Sequence, residues 1–302
     1  MGDAFEAGWL ELREPVDSES RARPLERLLH ERLQARGRDR LAIADLGAGT
    51  GSNLRHLAPR LAGPEGGHQQ WTLLDADRGL LAEVPGRIRT WAHARGYGVV
   101  DKDTGLEVTG LEVTGRAEAP FTLDIAAREG DLSDDPLPVD RVDLVTGSAL
   151  LDLVSREWLQ AFAGRLRETG AACLIALSYD GHIAWQPSIA GDEEVVRLVN
   201  QHQRGWKTFG QALGPDGGAV AAAELEAAGF TVETAHSPWR LSPADQALQQ
   251  HLHAGWAAAA SEAAPHRAEA IRAWLERRMD LLESGQGHVT VGHLDVLALP
   301  RG

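Results

Sequence analysis

The chain has 302 residues, 43% hydrophobic and 25% charged, proportions that exclude wholesale disorder and suit one large domain with insertions. A formal charge of −14 argues against nucleic acid, whose binding draws affinity from clustered Lys and Arg. The single cysteine, Cys173 in "AACLIALS", reads as a buried strand thiol; an intramolecular disulfide is excluded, and no apolar run approaches the roughly 20 residues that cross a bilayer.

The N-terminal "MGDAFEAGWLELREPVD" lacks the basic-then-apolar order of a secretory signal, so a cytoplasmic protein with no membrane partner is expected. "SESRARPLERLLHERLQARG" spaces Leu25, Leu28, Leu29 and Leu33 at helical intervals and predicts an amphipathic leading helix closed by Gly37. "RLAIADLG" then predicts a short buried strand, "SNLRHLAPRL" a helix, "WTLLDAD" a second strand, and "RGLLAEVPGRIRTWAHARG" a second helix. Residues 1–40 form an N-terminal helical lid in this reading, and 41–302 the main domain.

Between 97 and 120 the pentapeptide "GLEVT" occurs twice in succession, at 105–109 and 110–114. Leu106 and Val108 alternate with Glu107 and Thr109, which predicts an extended or hairpin insertion. The alternation of strand and helix then resumes through "FTLDIAAREGDL", "RVDLVTGSAL", "SREWLQAFAGRL" and "AACLIALS", the pattern of a mostly parallel sheet with helices on both faces. Residues 182–218 and 240–285 read as helical insertions over the substrate side; between them "AVAAAELEAAGFTVETA" gives a helix and a strand, and "HVTVGHLDVLAL" closes the chain as a strand.

The stretch "IADLGAGTGSN" places Gly47, Gly49 and Gly51 at every second position between an apolar strand and a helix. Such a loop makes the main chain itself a binding surface. In an open parallel sheet it sits outside the carboxyl ends of the strands, where ligands bind. Asp75, at the end of the second strand, is placed to accept hydrogen bonds from a ribose, so the ligand is expected to contain a nucleoside. The spacing Gly-x-Gly-x-Gly departs from the Gly-x-Gly-x-x-Gly of dinucleotide enzymes.

With Asp45 before it, this motif resembles the class I S-adenosylmethionine-dependent methyltransferases: "DLGAGTG" is similar to their first motif, "LLDAD" to the second, "REGDLSD" to the acidic adenine-binding element, and "VDLVTGSALLDLV" to the fourth. The resemblance covers about residues 40 to 180. It implies a Rossmann-like three-layer α/β sandwich with a seven-stranded sheet whose last strand is antiparallel. It also implies S-adenosyl-L-methionine as cofactor and S-adenosyl-L-homocysteine as product. The implied contacts are Asp45, Gly47, Ala48, Gly49 and Gly51 around the methionyl part, Asp75 and Ala76 at the ribose, Asp131 and Leu132 at the adenine, and Gly147 and Ser148 at the methyl-transfer channel. Arg13 or Arg21 is placed to meet the ligand carboxylate, with Arg21 preferred. Asp77 reads as the cap of the following helix, and Asp152 as either a channel residue or a loop residue.

Methyl transfer from a sulfonium needs alignment and exclusion of water, with a base where the acceptor arrives protonated. After the fifth strand the chain offers Tyr179, His182, Trp185, His202, Trp206 and Lys207, and later His236 and Trp239. His182, His202, His236 and Tyr179 are the candidate catalytic residues, and the tryptophans either line an acceptor site or pack the added helices. His251 and His253 lie two apart, on different helix faces, with no cysteine nearby, so no metal is expected. The expected acceptor is a small molecule methylated on O or N, possible also on C. An aminopropyltransferase, an NAD-dependent dehydrogenase and a non-catalytic nucleoside-binding protein are the alternatives, and the sequence leaves monomer and homodimer open.

Overall fold

The computed structural model describes residues 7–62, 67–102, 105–109 and 121–301. Its helices are α1 (Ala7–Ser20), α2 (Arg23–Gln34), α3 (Ser52–Leu61), α4 (Arg78–His93), α5 (Arg156–Thr169), α6 (Asp192–Gln203), α7 (Gly217–Ala227), α8 (Gln246–Ala263) and α9 (Ala268–Glu283). Its strands are β1 (Arg40–Leu46), β2 (Gly67–Asp75), β3 (Gly98–Lys102), β4 (Gly105–Thr109), β5 (Phe121–Glu129), β6 (Leu144–Ser148), β7 (Ala172–Gln186), β8 (Trp206–Lys207), β9 (Gly210–Gln211), β10 (Phe230–His236), β11 (Trp239–Leu241) and β12 (His288–Pro300).

Neighbouring apolar residues on the strands go to opposite faces, as the two-residue period of a strand requires. Leu73 and Leu174 join the core cluster that holds α2, α3 and α4, whereas their neighbours Leu74 and Ile175 join the one that holds α5 and α7. The result is a three-layer sandwich. Its central seven strands run β5-β2-β1-β6-β7-β12-β10. The five from β5 to β7 pair in parallel, and β12 is antiparallel to both β7 and β10. The expected seven-stranded, mostly parallel sheet with its last strand reversed is therefore present.

Side-chain caps fix several element boundaries. Asp77 Oδ1 accepts from the N–H groups of Gly79 and Leu80 at the start of α4, the capping role the sequence suggested. Ser155 accepts from Trp158 N–H at the start of α5, which ends at Gly170 with φ 65°. In the insertion, β3 and β4 pair antiparallel and β4 adds to β5, so the first "GLEVT" is a strand. The second copy, 110–114, lies outside the described residues.

One expectation is corrected. Residues 182–186 do not open a helical insertion; they prolong β7, because Ile183 and Trp185 alternate with exposed His182, Ala184 and Gln186. This extension and β12 form an antiparallel arm covered by α6, α8 and α9. There Trp185 Nε1 donates to His253 Nε2 at 2.8 Å, while His251 stacks on Trp9 with centroids 4.5 Å apart. The predicted amphipathic leading helix is α2, with Pro24 at its favourable first turn, and a second helix, α1, precedes it. α1 is clasped to α3 by Arg55, which pairs with Glu14 at 2.5 Å and 2.8 Å, and by Ser18 Oγ against His56 Nδ1 at 2.8 Å.

Candidate functional site

After Leu46 the chain reverses into α3 through Gly47, Gly49 and Gly51, at φ 63°, 52° and 81°. Side chains with a Cβ rarely adopt this region, which accounts for the glycines. A Cβ on Gly49 would lie 3.0 Å from Leu10 of α1, so that helix roofs the loop closely. From below, Ala48 N–H donates to the Leu74 carbonyl at 2.9 Å. Asp75 ties the two strand ends together: Oδ2 accepts from Gly49 N–H at 2.7 Å and Oδ1 from Asp77 N–H at 2.9 Å.

A cleft of about 740 Å³ opens at the carboxyl ends of β1, β2, β5 and β6. Of the residues expected to contact a cofactor, Gly47, Gly49, Asp75, Ala76, Asp131, Leu132 and Ser148 line it. Leu10 and Arg13 come in from α1, and Lys207, Thr208 and Phe209 from the opposite rim. Asp131 is exposed, and its Oδ1 accepts from both the N–H and the hydroxyl of Ser133, bonds that hold its carboxyl below the usual range. Leu132 is buried beside it, and its carbonyl takes the Trp158 indole N–H at 2.6 Å.

The other expected contacts lie outside the lining. Gly51 starts α3 behind the loop, Ala48 is buried beneath it, and Gly147 is wedged between strands, where a Cβ would lie 3.0 Å from the Leu46 carbonyl. Asp45 is fully buried and accepts from Asn53 Nδ2 at 2.6 Å; burial pushes its pKa up to about 7. Arg21 follows the end of α1 and is turned into a small polar hollow with Arg55 and Arg60, its Nε and Nη1 buried without hydrogen-bond partners. Of the two expected arginines, Arg13, on the body of α1, is the one that lines the cleft.

A smaller chamber of about 150 Å³ shares Arg13 and Ala149 with the cleft. Trp9, Trp239, Trp256 and Tyr179 form its aromatic walls, with Asp152, Gln203 and His293 among its polar groups. Arg13 lies 5.1 Å from the Trp239 ring centre and is paired with Asp17 at 2.8 Å, which also accepts from the Trp239 indole at 3.0 Å. Burial pushes the Asp152 carboxyl up to about 6, with its own N–H and Arg13 pulling the other way, and holds His293 down at about 3, so that imidazole is neutral.

Tyr179 is the one of the four catalytic candidates that lines this chamber, and it donates to Asn200 Oδ1 at 2.7 Å. Burial raises its pKa, keeping the phenol protonated. His182 and His236 are exposed, and His202 faces Glu262 at 3.1 Å; none of these three lines either space. Trp239 belongs to the chamber, Trp185 packs the added helices, and Trp206 is 80% exposed. Sequence reasoning missed Trp9, Gln203, Trp256 and His293. For His293 a signal existed: "GHLD" sets His and Asp inside an otherwise apolar strand, and buried polar groups of that kind require a reason.

No protein-family model matches the chain, and no curated protein matches it. Among solved structures, the chain is similar to YcgJ of Bacillus subtilis at 14% identity, over 93% of this chain and 100% of that one, with a TM-score of 0.47. It is also similar to a SAM-dependent methyltransferase from Geobacter sulfurreducens in complex with S-adenosyl-L-homocysteine, at 15% identity, 96% and 98% coverage and a TM-score of 0.43. A SAM-dependent methyltransferase from Thiobacillus denitrificans, in complex with the same compound, matches at 13% identity, 100% coverage of both chains and a TM-score of 0.42. At likenesses this distant, strand order and site geometry are the grounds for any assignment.

Proposed function

We propose that the chain is an S-adenosylmethionine-dependent methyltransferase acting on a small-molecule acceptor. The observation that carries this reading is the cleft at four adjacent strand ends, where a positive-φ glycine loop shares the space with two carboxylates, Asp75 at the end of β2 and Asp131 just after β5. The residues fit the cofactor. Each Asp75 oxygen accepts one backbone bond and keeps a lone pair for a ribose hydroxyl, and Asp131 Oδ2 is available to an adenine amino group. Arg13 uses Nε and Nη2 on Asp17 and has further N–H groups for the ligand carboxylate. Asp45 acts through Asn53, anchoring α3 beneath the loop.

The bound cofactor supplies an electrophilic methyl group on sulfur. The chain supplies alignment and dryness: α1 roofs the loop, and Ala149 and Arg13 stand where the cleft meets the chamber, so an acceptor seated in the chamber faces the cleft directly. Tyr179 serves as a wall in this reading, because its hydroxyl is committed to Asn200.

Isothermal titration with S-adenosyl-L-homocysteine, S-adenosyl-L-methionine and NAD tests the reading. Saturable binding of the first two and none of NAD is expected; NAD binding with neither sulfur compound bound would overturn it. Radiolabelled methyl transfer to a metabolite panel separates an enzyme from a binding protein.

A further inference from the structure

The chamber beside the cleft contains a chemical mismatch. Its walls are aromatic, yet Asp152 Oδ1, Gln203 Oε1 and His293 Nδ1 are all buried there without a hydrogen-bond partner. Asp152 and His293 are 8% and 5% exposed, so both are largely withdrawn from bulk solvent. A buried polar atom left unmade costs about 1–3 kcal/mol, and three around one space of about 150 Å³ point to an occupant that supplies the missing partners. Two of the three are oxygens that only accept; the neutral imidazole nitrogen also accepts in one of its tautomers. The unmet demand is for donors.

The backbone marks the same place. Among the described residues, the two non-glycine positions with positive φ are Ala149 (53°) and Leu177 (56°), and both line this chamber. Strain of this kind costs on the order of 1–3 kcal/mol per residue and persists where the surroundings over-determine it. At Leu177 Asp295 does so: its Oδ1 accepts from Leu177 N–H at 2.7 Å and from Ser237, and its Oδ2 from Ala22 N–H at 2.9 Å. The volume matches a cavity that holds one benzene-sized ring.

We infer that the chamber seats the methyl acceptor, and that this acceptor is a compact nitrogen compound, about one ring in size, presenting two or more N–H donors to Asp152, Gln203 and His293. This rests on the methyltransferase reading for the transfer itself. Flat N–H groups satisfy the three acceptors while their carbon frame lies against Trp9, Trp239 and Trp256. Arg13 does not oppose such an occupant, because Asp17 balances its charge. In the transfer, a protonated acceptor nitrogen first gives one proton to Asp152 Oδ1. Its freed lone pair then forms the N–C bond as the C–S bond of the sulfonium breaks and that electron pair returns to sulfur. The methylated nitrogen leaves protonated, and Asp152 releases its proton to solvent.

The test uses the full-length protein and three probes of similar ring size: benzamidine, with N–H donors; acetophenone, with an acceptor alone; and benzoate, with two. Calorimetry is expected to show benzamidine binding at least tenfold more tightly than acetophenone, and benzoate more weakly than both. Asp152→Asn is expected to weaken benzamidine at least tenfold and to change acetophenone less than twofold. Benzoate binding as tightly as benzamidine, equal affinity for benzamidine and acetophenone, or no saturable binding of benzamidine would each overturn the inference. If the variant does not fold, the ranking of the three probes on the unaltered chain decides. S-adenosyl-L-homocysteine is titrated separately: binding of that compound without a preference for benzamidine sinks this inference alone, and the reverse result sinks the methyltransferase reading.

Discussion

Gly49 and Asp75 are joined directly: the glycine N–H donates to the carboxylate at 2.7 Å, so the carboxylate expected to meet a ribose also fixes the loop expected to meet the methionyl end. A charge-assisted bond of this kind contributes about 1.5–3 kcal/mol. Asp75→Ala therefore removes a ligand contact and loosens the loop together, and calorimetry should show affinity for S-adenosyl-L-homocysteine falling by roughly ten- to a hundredfold. Affinity within error of the parent would mean that the cofactor is not seated here.

Glycine substitutions should separate constraint from mere composition. Gly49→Ala places a Cβ at φ 52° and 3.0 Å from Leu10, combining a backbone penalty of about 1–2 kcal/mol with displacement of α1. A lower Tm and weaker cofactor binding are expected. Gly86→Ala, inside α4 with nothing near the new methyl, should raise stability by about 0.5–1 kcal/mol and leave binding alone. Urea denaturation of the two variants side by side checks both.

Gly217, at the first residue of α7, packs on the backbone of residues 151 and 152; a Cβ there would fall on the Leu151 carbonyl. Backbone cannot swing aside as a side-chain tip does. Gly217→Ala is expected to destabilise the fold by about 1–3 kcal/mol and to shift Asp152 within the smaller chamber. An unchanged Tm together with unchanged benzamidine binding would contradict this packing.

Acid should weaken the helical arm through His253. Burial, then the neighbouring Arg278 charge, hold its pKa at about 4 rather than the ordinary 6.5, and its Nε2 accepts from Trp185. Above about pH 6.5 the imidazole is neutral in both states and its contribution is complete. As pH falls from there toward 4, the unfolded chain takes up a proton that the folded chain refuses, and stability is lost, by about 2 kcal/mol at pH 5. Urea midpoints at pH 7.5 and 5.0 should differ in that direction, and His253→Gln should narrow the gap. His56 and His293, also held low, act in the same sense.

Local signals carried the sheet and the cofactor side. β1 and the first part of β7 are contiguous apolar runs and β5 alternates, and the glycines, Asp75 and Asp131 fall at or just past strand ends, where chain order alone predicts proximity. The smaller chamber depends on residues far apart in sequence: Trp9 on α1, Asp152 after β6, Gln203 at the end of α6 and His293 on β12 meet only after folding. α1 itself was hard to read, because Pro15 interrupts a helix whose apolar residues are sparse. His182 follows the fifth apolar run in sequence, yet β7 continues past Ser178, and the alternation along it turns His182 outward.

α1 contributes Leu10 and Arg13 to the larger space and Trp9 and Arg13 to the smaller, and it is fastened to α3 through Glu14 and Arg55. One helix thus walls two compartments. Any displacement of α1 would therefore open both spaces at once.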